Sequence, residues 1–397
     1  MSGKFLPYGR HQIDEDDIAA VVDVLRHGVL TGGPKVDEFE NAFSRVTGAK
    51  HAVVCSNGTT ALHLAVIAAG IGPGDQVIVP AVTFLSTANA VRMAGADVIF
   101  ADVCPDTGLL TAETLIAALS RCENAVAVMP VHLNGQCVEM PRLDGIIQKH
   151  FLKVITDCCH ALGAQYAGGG GPGDGQYEDF ACFSLHPVKS IAMGEGGVVT
   201  TNDASIAKRL RNLRGHDMRR DPEDWKMPSG FAPDGEPNPW YYEMHELAYN
   251  YRATDMQCAL GLSQLGKLGG FVRRRAEIAD RYDAALTGLS NALKPVQRTS
   301  LAASAWHLYP VLIDFKAVGI SRAELMRSLH GHGVGTQVHY VPVPWQPYYR
   351  ELCGEPDFPG AERYYEAVLS LPIFPGMSDS DVDRVVAALK QTLGLTE

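Results

Sequence analysis

The sequence predicts an α/β protein, with a mostly parallel sheet covered by helices on both faces and a smaller α+β region after it. Two observations carry this. Between residues 51 and 157, short apolar runs alternate with helical stretches, and such alternation calls for a sheet layered between helices. Beyond residue 255 the pattern changes to longer helices and isolated strands. A chain of 397 residues is long enough for two or three domains and a large core. The boundary is expected near residue 255. Residues 1–255 would form the larger domain, with an N-terminal arm over 1–30, and residues 256–397 the smaller.

Residues 1–13 read as an irregular lead-in. Residues 14–30 (DEDDIAAVVDVLRHGVL) predict an amphipathic helix whose acidic first turn complements the helix dipole. Thr31-Gly32-Gly33-Pro34 breaks the chain, and 36–47 form a second helix. Strands are expected at 51–55, 76–80, 97–102, 125–130 and 152–157, with helices at 59–70, 86–95, 112–121 and 143–150 between them. Two further short strands, 180–184 and 197–201, flank a segment too rich in Pro and Gly for regular structure. After a helix at 204–214, residues 215–247 form a long Pro-, Gly- and aromatic-rich loop, a kind more often functional than accidental. Helices at 254–268 and 271–286, the apolar run 307–314, a helix at 322–332, the segment 335–339 and a last helix at 380–393 make up the smaller region.

Composition narrows the function. The chain is 46% hydrophobic and 20% charged, as ordinary globular proteins are. Its net charge of −11 argues against a nucleic-acid or anionic-membrane partner, so an acidic ligand must be met by local basic groups. The opening residues lack the apolar core of a signal peptide, and no apolar run approaches a membrane span. A cytoplasmic protein is expected. The nine cysteines form no CxxC pair and read as buried free thiols.

The candidate chemistry centres on residues 179–202 (DFACFSLHPVKSIAMGEGGVVTTN), and within them on Lys189. Glu195 is its one evident carboxylate neighbour. A lysine in a partly apolar site has a lowered pKa, and its free amine attacks carbonyls. That is the chemistry of a Schiff base with pyridoxal phosphate (PLP); taken alone, Lys189 reads as an ordinary loop lysine, and it is the residues elsewhere in the chain that favour the Schiff base. Asp157 ends the apolar strand LKVITD, where a carboxylate can keep a pyridine nitrogen protonated; a capping role is the plainer alternative. His160, three residues on, orients a cofactor or satisfies the core. Ser56-Asn57-Gly58-Thr59-Thr60 follows a strand and opens a helix, an arrangement suited to a phosphate and also to plain capping. Phe84 follows a strand and could stack on a cofactor ring or join the core. Ser184 stands five residues before Lys189, within reach of a phosphate, and Asn250 and Arg252 in YNYR supply an amide and a fixed cation. The run Gly168 to Gly171 has no helix after it and reads as a turn. His330 and His332 lack a third ligand, so no metal site is expected.

Taken together, SNGTTALHLA, PAVTFLSTANAV, VHLNGQ, ITDCCHALGA, FSLHPVKSIAMGEGGVVTTN and MHELAYNYRATDMQCALGLSQL resemble, in order and along nearly the whole chain, the sugar aminotransferase family named for DegT, DnrJ, EryC and StrS. The resemblance implies a PLP enzyme of aspartate-aminotransferase fold type I, with a mostly parallel, seven-stranded type of sheet. It implies Lys189 as the Schiff-base lysine, Asp157 as the pyridine-nitrogen partner, and His160 beside the cofactor. Phe84 would lie on the ring. Gly58, Thr59 and Ser184 would hold the phosphate from one subunit and Asn250 from the other, in a homodimer with shared active sites. Tyr8, Thr31, Arg219, Arg252, His339 and Tyr340 are candidates for the nucleotide-sugar. Within the family, PYGRHQIDEDDIAAVVDVLR, FSLHPVKSI, MHELAYNYR and GTQVHYVPVPWQPYYR resemble the aminotransferases of pseudaminic acid biosynthesis. These aminate C4 of UDP-2-acetamido-2,6-dideoxy-β-L-arabino-hexos-4-ulose with L-glutamate. HGVLTGGP and SIAMGEGG depart from that pattern, which leaves open a GDP-linked sugar (GDP-perosamine type) or a D-configured UDP-4-keto-sugar. Related PLP-dependent sugar dehydratases carry histidine where this chain has Lys189.

Overall fold

The computed structural model describes residues 5–354 and 357–395. Its elements, in chain order, are α1 (Glu15–His27), α2 (Pro34–Thr47), β1 (His51–Cys55), α3 (Gly58–Ala68), β2 (Gln76–Pro80), α4 (Leu85–Met93), β3 (Asp97–Ala101), α5 (Ala112–Leu119), β4 (Ala125–Val128), α6 (Met140–Lys149), β5 (Lys153–Asp157), β6 (Gln165–Tyr166), β7 (Phe180–Ser184), β8 (Gly197–Thr201) and α7 (Ala204–Leu213). Then come α8 (Asp255–Leu265), α9 (Leu268–Leu286), β9 (Leu293–Pro295), β10 (Ala302–Ala303), β11 (Tyr309–Ile313), α10 (Arg322–Gly331), α11 (Pro347–Cys353), α12 (Pro359–Ala367), β12 (Val368–Leu371) and α13 (Asp379–Thr392).

Seven strands form the main sheet in the order β1-β8-β7-β5-β4-β2-β3. Pairing is parallel from β7 across to β3, while β8 runs antiparallel to both neighbours. This is the expected mostly parallel α/β sheet. The strands are apolar nearly throughout because helices cover both faces: Val53, Ile78, Val79, Ile155 and Val199 are fully buried. The order of strands matters for function. Ser56, Gly58, Phe84, Asp157 and Ser184 all follow or end strands at one edge, where parallel sheets bind ligands.

Local chemistry sets most boundaries. Asp14 caps α1 by accepting from the backbone of Asp16 and Asp17, and Gly28 ends the helix three residues short of the expected stop. Pro34 occupies the first turn of α2. Asn57 caps α3 in a reciprocal box with Thr60. The smaller sheet, β12-β11-β9, is antiparallel. It packs with α9, α10 and α13 around Tyr282, Leu286, Leu325, Leu329, Val385 and Leu389. Leu6 joins this cluster, because its backbone pairs with Gly333 and Gly335 at 2.9 and 2.8 Å. α9 begins in a cluster with α2 and β7, through Leu268 and Phe271, and ends in the smaller one, through Tyr282 and Leu286.

The segment 335–339 contributes one bridge, from Gln337 to Ser370. Two expectations are corrected. Two helices, α11 and α12, lie in a Pro-rich region where none was expected, each starting on its proline. The nine thiols are all free, but five are buried, while Cys104, Cys122 and Cys159 are half-buried and Cys353 is exposed. Among the described residues, no helix is long and apolar enough to cross a membrane.

Candidate active site

Lys189 lies between β7 and β8, on the loop 185–196. That loop is closed on itself by the Leu185 N–H to Gly196 carbonyl (2.8 Å) and Met193 N–H to Leu185 carbonyl (2.9 Å) bonds. Its side chain borders a cavity of 660 Å³, lined also by Tyr8, Gly58, Thr59, Phe84, Asp157, His160, Ser184, His339 and Tyr340. Burial holds the Lys189 amine below its ordinary pKa, against the opposing pull of Cys159 and Asp157. A larger fraction of the amine is therefore unprotonated and nucleophilic.

Asp157 is buried at the end of β5. Its Oδ2 accepts from Thr87 Oγ1 at 2.7 Å and its Oδ1 from the Cys159 N–H at 3.0 Å. Thr87 itself is buried and sits 2.7 Å from the Thr83 hydroxyl. The carboxylate is thus fixed by two donors and still borders the cavity.

At the other end of the cavity, the first turn of α3 meets Ser184. The backbone N–H groups of Gly58 and Thr59 have no partner among the described residues, as expected at a helix start. A Cβ on Gly58 would stand 2.8 Å from Ser184 Cβ and 3.1 Å from its hydroxyl. The glycine is what lets the helix approach the strand end. Thr59 Oγ1 lies 2.7 Å from Ser86 Oγ. Free N–H groups, hydroxyls and a helix dipole together make an anion cradle.

Phe84 is 52% exposed, which rules out the core reading. It borders the cavity, with its ring 5.8 Å from that of Tyr340. His160, buried, faces Tyr340 OH through Nε2 at 3.2 Å and accepts the Asn134 N–H on Nδ1 at 3.3 Å. His307 lies against it, ring centroids 4.3 Å apart. Burial holds both imidazoles well below their ordinary pKa, so both are neutral. His339 bonds Ser370 Oγ at 2.9 Å and is pushed down to about 3 by burial.

The sequence matches the DegT/DnrJ/EryC1/StrS aminotransferase family over residues 11–390. The chain belongs to this family. The spore coat polysaccharide biosynthesis protein SpsC of Bacillus subtilis is 39% identical over 389 residues, spanning 97% of this chain and 96% of SpsC. Helicobacter pylori PseC, an aminotransferase involved in pseudoaminic acid biosynthesis, superposes with a TM-score of 0.87 at 28% identity, covering 99% of this chain and 100% of PseC. The PLP form of Streptococcus pneumoniae Spr1654 superposes with a TM-score of 0.86 at 28% identity, over 99% and 100% of the two chains. The protein is accordingly a PLP-dependent sugar aminotransferase of fold type I, and PLP is its cofactor.

The cavity of this aminotransferase fits that cofactor. It offers a depressed amine, a fixed carboxylate, an aromatic face and a cradle with unpartnered N–H groups. Four residues expected at the site lie outside this wall. Thr31, Asn250 and Arg252 are exposed and Arg219 is half-buried, paired with Asp217 at 2.9 Å. Within one aminotransferase chain they do not join the cavity. The sequence reading missed Thr87, Ser86, Asn134 and His307. Ser86 and Thr87 carried a signal, two hydroxyls in the first turn of a helix that follows a strand. Asn134 carried another, since the Asn-Gly of VHLNGQ marks a tight turn.

Proposed function

We propose that this enzyme moves an amino group from L-glutamate to C4 of a nucleotide-linked 4-keto-6-deoxy sugar, namely UDP-2-acetamido-2,6-dideoxy-β-L-arabino-hexos-4-ulose. The observation that carries the reaction type is the depressed Lys189 amine in one cavity with Asp157 and the α3 anion cradle. The similarity to PseC over both chains supports the sugar. Lys189 also speaks against a dehydratase, which would carry histidine there.

PLP, when bound, supplies the electron sink that makes a proton on the donor's α-carbon removable. Lys189 would bind PLP and then, freed as an amine, accept that proton on Nζ. It would return a proton at the sugar's C4 in the second half of the cycle. Asp157, fixed by Thr87 and the Cys159 N–H, would keep the pyridine nitrogen protonated. Phe84 and His160 would flank the ring, and Gly58, Thr59 and Ser184 would hold the phosphate. We read Asn250 as reaching the phosphate from a second subunit, in a homodimer with shared sites. Tyr8, His339 and Tyr340 would contact the sugar from the cavity wall, and Thr31, Arg219 and Arg252 from the second subunit. The division into lobes near residue 255 and a cytoplasmic location belong to the same reading.

A second reading has its own support. SpsC shares 39% of its residues with this chain, against 28% for PseC, which favours another nucleotide-linked keto-sugar of polysaccharide synthesis. The deciding experiment supplies PLP to the purified protein, adds L-glutamate, and follows the visible spectrum. Conversion of the long-wavelength band, lost in Lys189→Ala, supports the aminotransferase assignment of these residues. The converted enzyme is then offered the UDP-β-L-arabino keto-sugar, a D-configured UDP-4-keto-sugar and a GDP-4-keto-sugar in parallel. Recovery of the band with only one of the latter two would overturn the proposed substrate.

A further inference from the structure

The turn at residues 133–135 is built in an uncommon way. Asn134, fully buried, holds φ at +63° and is not a glycine, a conformation that costs free energy and persists where the surroundings hold it. They do. Its carbonyl accepts the Leu308 N–H at 3.1 Å and its side-chain amide reaches Tyr364 OH at 3.1 Å. Gly135 lies so close to the next segment that a Cβ there would stand 2.7 Å from the Trp306 nitrogen and 3.1 Å from the His160 carbonyl.

This turn directs one donor, the Asn134 N–H, at His160 Nδ1. A backbone N–H can only donate, so Nδ1 must be the lone-pair nitrogen. His160 is enclosed by His307, His339, Tyr340 and, across the cavity, Lys189. No carboxylate among its neighbours favours a charged ring, so it remains neutral with its proton on Nε2. That proton faces Tyr340 OH at 3.2 Å. The Tyr340 oxygen is then the acceptor, and its own hydroxyl proton is left for another group. Tyr340 borders the cavity beside Phe84. Among the described residues no arginine lines that wall, and a single hydroxyl donor there matches a carbonyl or hydroxyl oxygen.

We propose that the Asn134 turn and His160 act as positioning residues that orient the Tyr340 hydroxyl to donate a hydrogen bond to a carbonyl or hydroxyl oxygen of the sugar. The sugar's identity as ligand rests on the proposed function; the polarity of the relay does not.

Two measurements test it separately. In the apoprotein labelled with 15N-histidine, two-bond 1H–15N correlations report the ring tautomer, and the His160 signal is assigned by its loss in His160→Gln. The Nε2–H tautomer is expected from pH 6 to 8. An Nδ1–H ring or an imidazolium overturns the relay whatever the substrate is. The second measurement follows the two half-reactions separately with L-glutamate and with the keto-sugar that the wild type turns over. Tyr340→Phe and His160→Leu are expected to slow the sugar half-reaction ten- to hundredfold more than the glutamate half-reaction. His160→Gln, which can accept from Asn134 and donate to Tyr340 in the same sense, is expected to recover most of that difference. Equal slowing of both halves, or no recovery with glutamine, overturns the assignment to the sugar. If the expected tautomer is found but no keto-sugar is turned over by the wild type, the proposed function fails and the relay stands.

Discussion

Thr87 Oγ1 donates to Asp157 Oδ2 at 2.7 Å, joining the first turn of α4 to the end of β5 across 70 positions of sequence. Both residues are buried, and the other donor to the carboxylate is the Cys159 N–H. Hydrogen bonds to buried charged groups contribute about 1.5–3 kcal/mol. Thr87→Val keeps the shape and removes the donor. We expect turnover to fall by roughly ten- to hundredfold by the same measure, with the melting temperature lowered as well, since the same bond contributes to the fold. Wild-type turnover in this variant would show that Asp157 needs no such anchor.

Gly58→Ala tests the anion cradle. The added methyl must displace Ser184, which stands 2.8 Å from it. The expected outcome is a folded protein whose affinity for PLP, measured by fluorescence titration, drops by at least tenfold. Ser184→Gly in the same chain should restore the space but not the hydroxyl, and so recover affinity only in part.

Lys189 carries a stability signature of its own. Its folded-state pKa is lowered from 10.5 by burial, so between the two values the unfolded chain binds more protons. Apoprotein stability contributed by this group therefore rises with pH through that window. Lys189→Met removes the buried amine and abolishes turnover. Its apoprotein is expected to melt above the wild type at neutral pH, with the gap closing as the pH nears 10.5. A gap that widens with pH would contradict burial of the amine.

His339 gives the opposite end of the pH scale. Its ring is held at about 3, against an ordinary 6.5. Between those values the unfolded chain is protonated and the folded one is not, so stability is present above 6.5 and is lost as the pH falls toward 3. His160 and His307 are shifted in the same direction. Melting temperatures measured from pH 7 to pH 4 should fall less steeply for His339→Gln than for the wild type. Parallel curves would mean that the ring is hydrated.

Much of this was legible in the sequence, for reasons that differ from residue to residue. Asp157, Ser184 and Phe84 each end or follow an apolar run, and in a parallel sheet such positions converge at one edge. Lys189 stood out because Pro187, Gly194 and Gly196 interrupt regular structure around it. The hydroxyl of Thr87, the ring of His307 and the turn at Asn134 act through partners 26 to 70 or more positions away, and no local period encodes such pairs. β9 and β12 were too short for alternation to register. α11 and α12 were obscured by Pro347 and Pro359, which break helices in mid-course but begin them at the first position.

The ring of backbone that carries Lys189 is tied at both ends into adjacent strands of the main sheet and bonded across its base. These ties restrain the loop at its base. A difference in reach between a small amino acid and a bulky sugar then falls mainly to the flexible carbon stem of the lysine. Stiffness and reach are thus divided between main chain and side chain. One mounting can serve two partners of very different size, and accuracy of placement does not depend on which of them has arrived.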